Sequence, residues 1–351
     1  MTDTADVIIR VSGGAGRITL NRPKALNALT YDMCLSIEAA LDEWCDDDAV
    51  SVIVIDAEGD RAFCAGGDIA KLYETGRAGD FAYGQRFWAD EYRLNARIFG
   101  YRKPVVSLLQ GFTMGGGVGV GCHGSHRIVG ESSQIAMPEC GIGLVPDVGG
   151  SLMLALAPGR LGEYLGITGT RMGAADAIHA GFADHFVPEE QWPALIANLE
   201  ETGSVAGLEA AITAAPGGTL AAQQPDIDRL FTGEALEDII TDLTADGSDL
   251  AQTSLKAIGR NAPLAMACAV EMVHRLRGPA LSIEKALDLE YRYTSRAMEK
   301  GDFLEGIRAQ IIDKDRNPKW QYAGSTVPVA AVAEMLRPLG ENALKLEGKA
   351  P

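Results

Sequence analysis

"KPVVSLLQGFTMGGGVGVGCHG", residues 103–124, places an apolar run, Val105 to Leu109, directly ahead of a segment with seven glycines in fourteen residues. A short β-branched run of this kind reads as a strand buried on both faces. The same arrangement occurs about fifty residues earlier, where "AVSVIVIDAEG" (49–59) is followed by "AFCAGGD" (62–68). Glycine lacks a Cβ and adopts φ/ψ values closed to other residues, so its backbone N–H can be approached closely. Two such N–H groups can hold an oxyanion, and each preorganised donor aimed at developing charge supplies about 2.7–4 kcal/mol. A helix beginning at the second glycine segment adds the positive end of its dipole. Gly119, Gly121 and Gly124 also match G-x-G-x-x-G, the dinucleotide-binding pattern. That pattern opens at the end of its strand, whereas this one starts ten residues after Leu109, and no strand ending in a ribose-binding acid follows.

Outward from these segments, "VIIRVSGGAGRITLNRP" (7–23) offers two apolar runs around a glycine turn, a hairpin. Thr30 stands as N-cap of a helix carrying Met33, Ile37, Leu41 and Trp44 on one side. Trp88, Tyr92, Asn95 and Phe99 recur at helical spacing, with Glu91 at the border of that face. Short helices are expected over 149–156 and 160–165, separated at Pro158 and Gly159, and the alternation of strand and helix ends near Pro188. The segment 201–262, rich in Ala, Thr, Asp and Gly, reads as a linker or surface subdomain, and 263–351 as a helical C-terminal region beyond a core spanning 1–200. In that last region Ile283, Leu287, Tyr291, Thr294 and Met298 share a helix face.

Forty-eight acidic against 31 basic residues give a formal charge of −17, with no Lys/Arg-rich run, which argues against nucleic acid as a partner. The N-terminus lacks a basic flank and apolar stretch, and no eighteen apolar residues run together, so a soluble, cytoplasmic protein without a membrane partner is expected. Six cysteines without a CxxC pair imply neither a disulfide framework nor a zinc ribbon. Cys122, His123 and His126 lack a third ligand at metal spacing and read as packing and surface residues, so no metal is expected.

"NRPKALNAL" (21–29), "AFCAGGDI" (62–69), "KPVVSLLQGFTMGGGVG" (103–119), "MPECGIGLVPDVGG" (137–150) and "GITGTRMGAADAIHAGFADHFV" (166–187) resemble, in this order, the enoyl-CoA hydratase/isomerase or crotonase superfamily. The resemblance resumes at "GDFLEGIRAQIIDKDRNPKW" (301–320). Within the superfamily, "MPE" with "GLVPDVGG" and the upstream "DEYRLN" (90–95) resemble the 3-hydroxyisobutyryl-CoA hydrolases. The resemblance implies an α/β fold, a crotonase-like spiral of ββα units with a helical C-terminal region that covers the site or contacts neighbouring subunits of a homo-oligomer. It implies an acyl-CoA thioester as substrate, with coenzyme A part of that substrate and no separate cofactor. The thioester carbonyl would lie between the N–H groups of Gly67 and Gly116. Pantetheine would pass Ala65, Gly66, Asp68 and Ile69, and the phosphates would seek Arg22, Lys24 and Lys71.

Hydratases of the superfamily use two glutamates, and the position of the first is Gly119 here. Syn addition of water needs an acid/base group at each end of the double bond, so hydration is disfavoured. Glu139 remains, either as a general base toward water or as the attacking group itself, an alternative that residue types leave open. Asp147 is expected to position the acyl hydroxyl or water, with Glu91 a second polar contact to the hydroxyl end. Thioester hydrolysis is the expected reaction, the alternatives being a hydratase or isomerase that uses Glu139 alone and a non-catalytic acyl-CoA-binding protein. Hydratase activity without CoA release in Gly119→Glu would support the division of labour between Glu139 and Asp147. Ile142, Leu144 and Val145 form an apolar surround that raises carboxyl pKa values. As an alternative role, Asp147 would cap the helix starting at Gly149.

Overall fold

A computed structural model describes residues 5–278, 281–324 and 326–346. The hairpin forms from β1 (Val7–Ser12) and β2 (Ala15–Leu20), antiparallel, and Thr30 accepts the Met33 N–H to start α1 (Tyr31–Cys45). The chain then repeats one theme three times. β3 (Val52–Ala57) leads to β4 (Ala62–Cys64) and the helices α2 (Ile69–Arg77) and α3 (Phe81–Phe99). β5 (Val105–Leu108) leads to β6 (Phe112–Met114) and α4 (Gly116–Gly121). β7 (His126–Val129) leads to β8 (Gln134–Ala136), a 3-10 turn at Glu139–Ile142, and helices α5 (Gly150–Leu156), α6 (Leu161–Thr168) and α7 (Ala174–His179).

Each repeat gives its first strand to a six-stranded sheet of order β1-β2-β3-β5-β7-β9, where β9 is His185–Phe186, and its second to a three-stranded sheet of order β4-β6-β8. Apart from the hairpin, the described strands pair in parallel, with isolated antiparallel bridges such as Ile135 with Met172. This is the ββα spiral of the crotonase fold. The two apolar runs that flank the glycine segments are β3 and β5, adjacent in the large sheet and fully buried from Val52 to Ile55 and from Val105 to Leu108.

After α8 (Trp192–Thr202) the chain is helical: α9 (Leu220–Leu230), α10 (Leu236–Asp246), α11 (Asp249–Ile258), α12 (Pro263–Leu276), α13 (Ile283–Lys300), α14 (Phe303–Ile307) and α15 (Val329–Met335). Within 201–262, Leu220, Ile227, Leu230, Phe231, Leu236, Ile239 and Leu243 are buried in the same apolar cluster as the core helices. Phe231 meets Tyr164 of α6 edge to face, with ring centroids 5.2 Å apart. The composition of that segment hides this packing, because its threonines and most of its alanines are turned outward while a few large apolar residues, with Ala251 and Ala262, carry the contact.

One close approach fixes the small sheet. A Cβ on Gly117, in the first turn of α4, would lie 2.1 Å from the Cys64 carbonyl oxygen of β4, a main-chain atom that cannot swing aside. Gly117→Ala is therefore expected to lower the thermal midpoint, with an overpacking cost of about 1–3 kcal/mol or more. Calorimetry of the variant measures it, and an unchanged midpoint would contradict the close packing of α4 on β4.

Candidate active site

Parallel strands end together, and the ends of the small sheet bring the sequence motifs into one place. Ala65, Gly66 and Gly67 follow β4, Gly115 and Gly116 follow β6, and Pro138 and Glu139 follow β8. Backbone N–H groups and a carboxylate thus converge at the carboxyl edge of one sheet, as ligand sites of open α/β sheets do. They line a cavity of about 670 Å³ together with Ile69, Glu91, Asp147, Val148, Arg171, Arg260, Asn261 and Gln310, among others.

Gly67 and Gly116 face each other. A Cβ on Gly116 would lie 3.4 Å from the Gly67 nitrogen, so a side chain there would obstruct the gap between them. The sheet-like bridge of Leu29 with Gly67 uses the Gly66 carbonyl and the Asp68 N–H and leaves the Gly67 N–H free. Gly116 opens α4, where no intrahelical acceptor exists for its N–H. The turn before it is possible because Gly115 lies at φ +48° and Gly66 at +115°, regions that favour glycine.

Three carboxyl groups surround this pair, all nearly inaccessible: Glu91 from α3, Glu139 from the 3-10 turn and Asp147 from the loop before α5. A Cβ on Gly115 would be 3.0 Å from Glu139 Oε1, and one on Gly116 2.9 Å from Glu91 Oε1, which puts Glu139 beside Gly115 and Glu91 beside Gly116. Glu139 Oε2 is buried without a hydrogen-bond partner. Asp147 Oδ2 accepts the Tyr92 hydroxyl at 2.7 Å. Among the described residues no Lys or Arg forms an ion pair with any of the three acids. Burial, and then the neighbouring Asp147, hold Glu91 and Glu139 well above the ordinary carboxyl range. Burial pushes Asp147 up to about 7, against the opposing pull of the Tyr92 hydroxyl.

Asp147 does not cap α5 through its side chain. That task falls to Glu290 of α13, which accepts the N–H groups of Gly149 at 2.8 Å and Ser151 at 3.0 Å and the Ser151 hydroxyl. Glu290 is wholly buried and burial raises it to about 8. Neither Glu290 nor Tyr92 is distinguishable by sequence from an ordinary helix residue; their roles depend on α3 and α13 packing together 200 residues apart.

Other expected contacts are placed differently. Asp68 does not line the cavity; it pairs with Arg22 at 3.0 Å. Lys71 pairs with Glu74 at 2.8 Å on the surface, and Lys24 borders a separate small cavity with Pro23 and Glu58. The cations that do line the main cavity are Arg171, whose guanidinium stands 5.1 Å over the Phe112 ring, and Arg260. Among the described residues neither forms an ion pair. His123, read as packing or surface, is buried and its Nε2 bonds the Val148 carbonyl oxygen at 2.7 Å. Among the described residues, no helix is long and apolar enough to cross a membrane.

The enoyl-CoA hydratase/isomerase family model matches residues 15–336. The chain belongs to that family. It is 40% identical to the mitochondrial 3-hydroxyisobutyryl-CoA hydrolase of Rattus norvegicus over 92% of this chain and 86% of the relative. The Gallus gallus relative of the same name is 37% identical over 98% and 92%. Among solved structures, one from Rhodobacter sphaeroides described as an enoyl-CoA hydratase shares 58% identity and a TM-score of 0.93, covering 97% of this chain and all of that one. One from Mycobacterium thermoresistibile described as a carnitinyl-CoA dehydratase shares 41% identity with the same TM-score, over 99% and 100%.

A carboxyl group whose pKa is raised on folding adds stability below its unfolded value, and that stability is lost as pH rises through the folded one. For Asp147 the window runs from the ordinary 3.8 to about 7. Asp147→Asn keeps an acceptor for Tyr92 and removes the charge, so its thermal midpoint is expected to match the parent at pH 4 and exceed it at pH 8. Paired melting curves at the two pH values check this; a parent more stable than the variant at pH 8 would contradict it.

Proposed function

We propose that the protein hydrolyses a short 3-hydroxyacyl-CoA thioester, 3-hydroxyisobutyryl-CoA being the favoured substrate. The observation that carries the reading is that the free Gly67 and Gly116 N–H groups share one cavity with the buried Glu139 carboxyl, whose Oε2 has no partner among the described residues. A thioester carbonyl oxygen seated between the two amides becomes the oxyanion when its carbon is attacked. Glu139 either takes a proton from the attacking water or attacks directly to give an anhydride that water then opens. By either route the C–S bond breaks, CoA leaves as the thiol, and the acyl group gains the water oxygen. Asp147 and Glu91 then contact the substrate's hydroxyl end, and Ala65, Gly66 and Ile69 border the pantetheine arm. Arg171 and Arg260 offer positive charge at the same cavity to an anionic ligand. The relatives named as 3-hydroxyisobutyryl-CoA hydrolases support this choice, and their names place them in mitochondria. The six buried free cysteines suit a reducing compartment, for which the cytoplasm remains our reading.

A second reading, hydration or dehydration of an enoyl-CoA, has its own support. The structure at 58% identity is described as an enoyl-CoA hydratase, and Glu91 supplies a second buried carboxyl beside Glu139. Gly119 takes no part in it. A Cβ there would lie 2.6 Å from Asn95 Nδ2 and 2.9 Å from Val148 Cβ, both in buried residues, so the space for a hydratase glutamate is filled. Gly119→Glu, informative by sequence as a test for a hydratase pair, is therefore expected to disrupt this packing.

Incubation with 3-hydroxyisobutyryl-CoA and a thiol reagent is expected to show CoA release that falls by at least about 10²-fold in Glu139→Gln. Loss of enoyl absorbance without free thiol would favour hydration instead. Because Glu139 must be ionised to act and its pKa is raised, kcat/KM should fall as pH drops, with a midpoint well above the ordinary carboxyl value of 4.5. In Asp147→Asn, which removes a charge that raises Glu139, the midpoint of the residual activity should move to lower pH.

A further inference from the structure

Val148 has φ +55°, a left-handed backbone that a β-branched residue rarely adopts. It follows Asp147 directly and lines the cavity beside it. Such a conformation costs about 1–3 kcal/mol and persists only where its surroundings hold it. Four contacts hold this turn, and they do different things: the Gly150 N–H closes it on the Asp147 carbonyl oxygen at 2.7 Å, across Val148 and Gly149. Tyr92 grips the Asp147 carboxylate, a contact the side chain can keep while its backbone shifts. Glu290 grips the amides of Gly149 and Ser151, beyond the strained residue. His123 alone bonds the carbonyl of Val148 itself, at 2.7 Å.

We infer that His123 is a positioning residue for Asp147: by donating its Nε2–H to the Val148 carbonyl it keeps the left-handed turn that aims the Asp147 carboxylate into the cavity. A carbonyl oxygen only accepts, so Nε2 carries the proton. Burial pushes His123 down to about 4, so at neutral pH the ring is uncharged and its Nδ1 is an unprotonated acceptor. That Nδ1 is buried without a partner, a cost tolerated on the far side of the ring from the Val148 bond. The ring is bordered by a cavity of about 350 Å³. Phe99 packs edge-on against it at 6.0 Å, and a Cβ on Gly149 would lie 2.5 Å from Nε2, so the glycine admits the imidazole to the turn. A Val148 returned to the right-handed or extended region would carry its carbonyl away from this donor.

The inference rests on the reading of Asp147 as a substrate-positioning carboxylate, and the test separates the two. His123→Phe preserves an aromatic ring without a donor, and His123→Gln places an amide N–H near the position of Nε2. Crystal structures of both variants, melting curves and CoA-release kinetics on 3-hydroxyisobutyryl-CoA are compared with the parent. In His123→Phe, Val148 is expected to leave the left-handed region and the Asp147 carboxylate to move, with kcat/KM falling roughly 10- to 100-fold. In His123→Gln the turn and kcat/KM are expected to stay within about threefold of the parent. An unchanged turn in the His123→Phe crystal, or a Gln variant as impaired as the Phe variant at an equal melting temperature, would overturn it. If the parent releases no CoA, the hydrolase reading fails, while the turn geometry in the Phe variant still decides the role of His123.

Discussion

The parallel pairing of three short strands, β4, β6 and β8, is the constraint on which the site depends. Parallel strands in register end on the same side, so the residues that follow them are neighbours whatever their distance in sequence. Here those residues are Gly67, Gly116 and Glu139. The strands are only three residues long and do not hold themselves: the larger sheet carries the alternate strands of the spiral, and α4 lies against β4 at a distance only Gly117 permits. The precision of the cavity is thus inherited from close packing between main-chain atoms, which side-chain repacking cannot relax.

That scaffold supports an arrangement which is unfavourable by itself. Glu91, Glu139, Asp147 and Glu290 are buried in one region, without a described ion pair among them, and each is raised by desolvation before any neighbour is counted. Buried acids without cations cannot all ionise at neutral pH, so the cluster holds fewer charges than carboxyl groups. Hydrogen bonds select where charge resides. Glu290 receives two backbone amides and a hydroxyl, Asp147 receives the Tyr92 hydroxyl, and Glu139 Oε2 receives nothing. The oxygen without a described partner belongs to the carboxyl that follows β8 at the cavity.

The strands, their glycine turns and the helices of the core were legible in sequence because each is decided within a few residues. β-branched runs marked β3 and β5, Thr30 marked the start of α1, and glycines marked the turns at Gly66 and Gly115. Glu139 and Asp147 were visible as acids in an apolar stretch, and the structure brings both into the cavity with Glu91. Contacts fixed by distant packing were not legible. Glu290 looks like any helix glutamate until α13 is laid against α5, and Arg260 and Asn261 sit in a segment whose composition suggests a linker. His123 is a packed residue as its sequence context suggests, but its partner, a carbonyl 25 residues away, was not legible for the same reason.

Gly119 shows most clearly how a single missing side chain changes the meaning of a site. By sequence it marks only an absence, the loss of a hydratase carboxyl. In the fold the space is occupied by Asn95 and Val148, and Asn95 has both amide atoms buried without partners. The second carboxyl enters instead from α3, one helical turn before Asn95, as Glu91 beside Gly116. This carboxyl stands on the helix packed across from α4, not on α4 itself. A carboxyl on α4 would be fixed relative to Gly116; one on α3 depends on how α3 sits against α13 and the Asp147 turn. The position of Glu91 is thereby coupled to the C-terminal helices, and the Asp147 turn that borders the same cavity is bonded by Tyr92, Glu290 and His123.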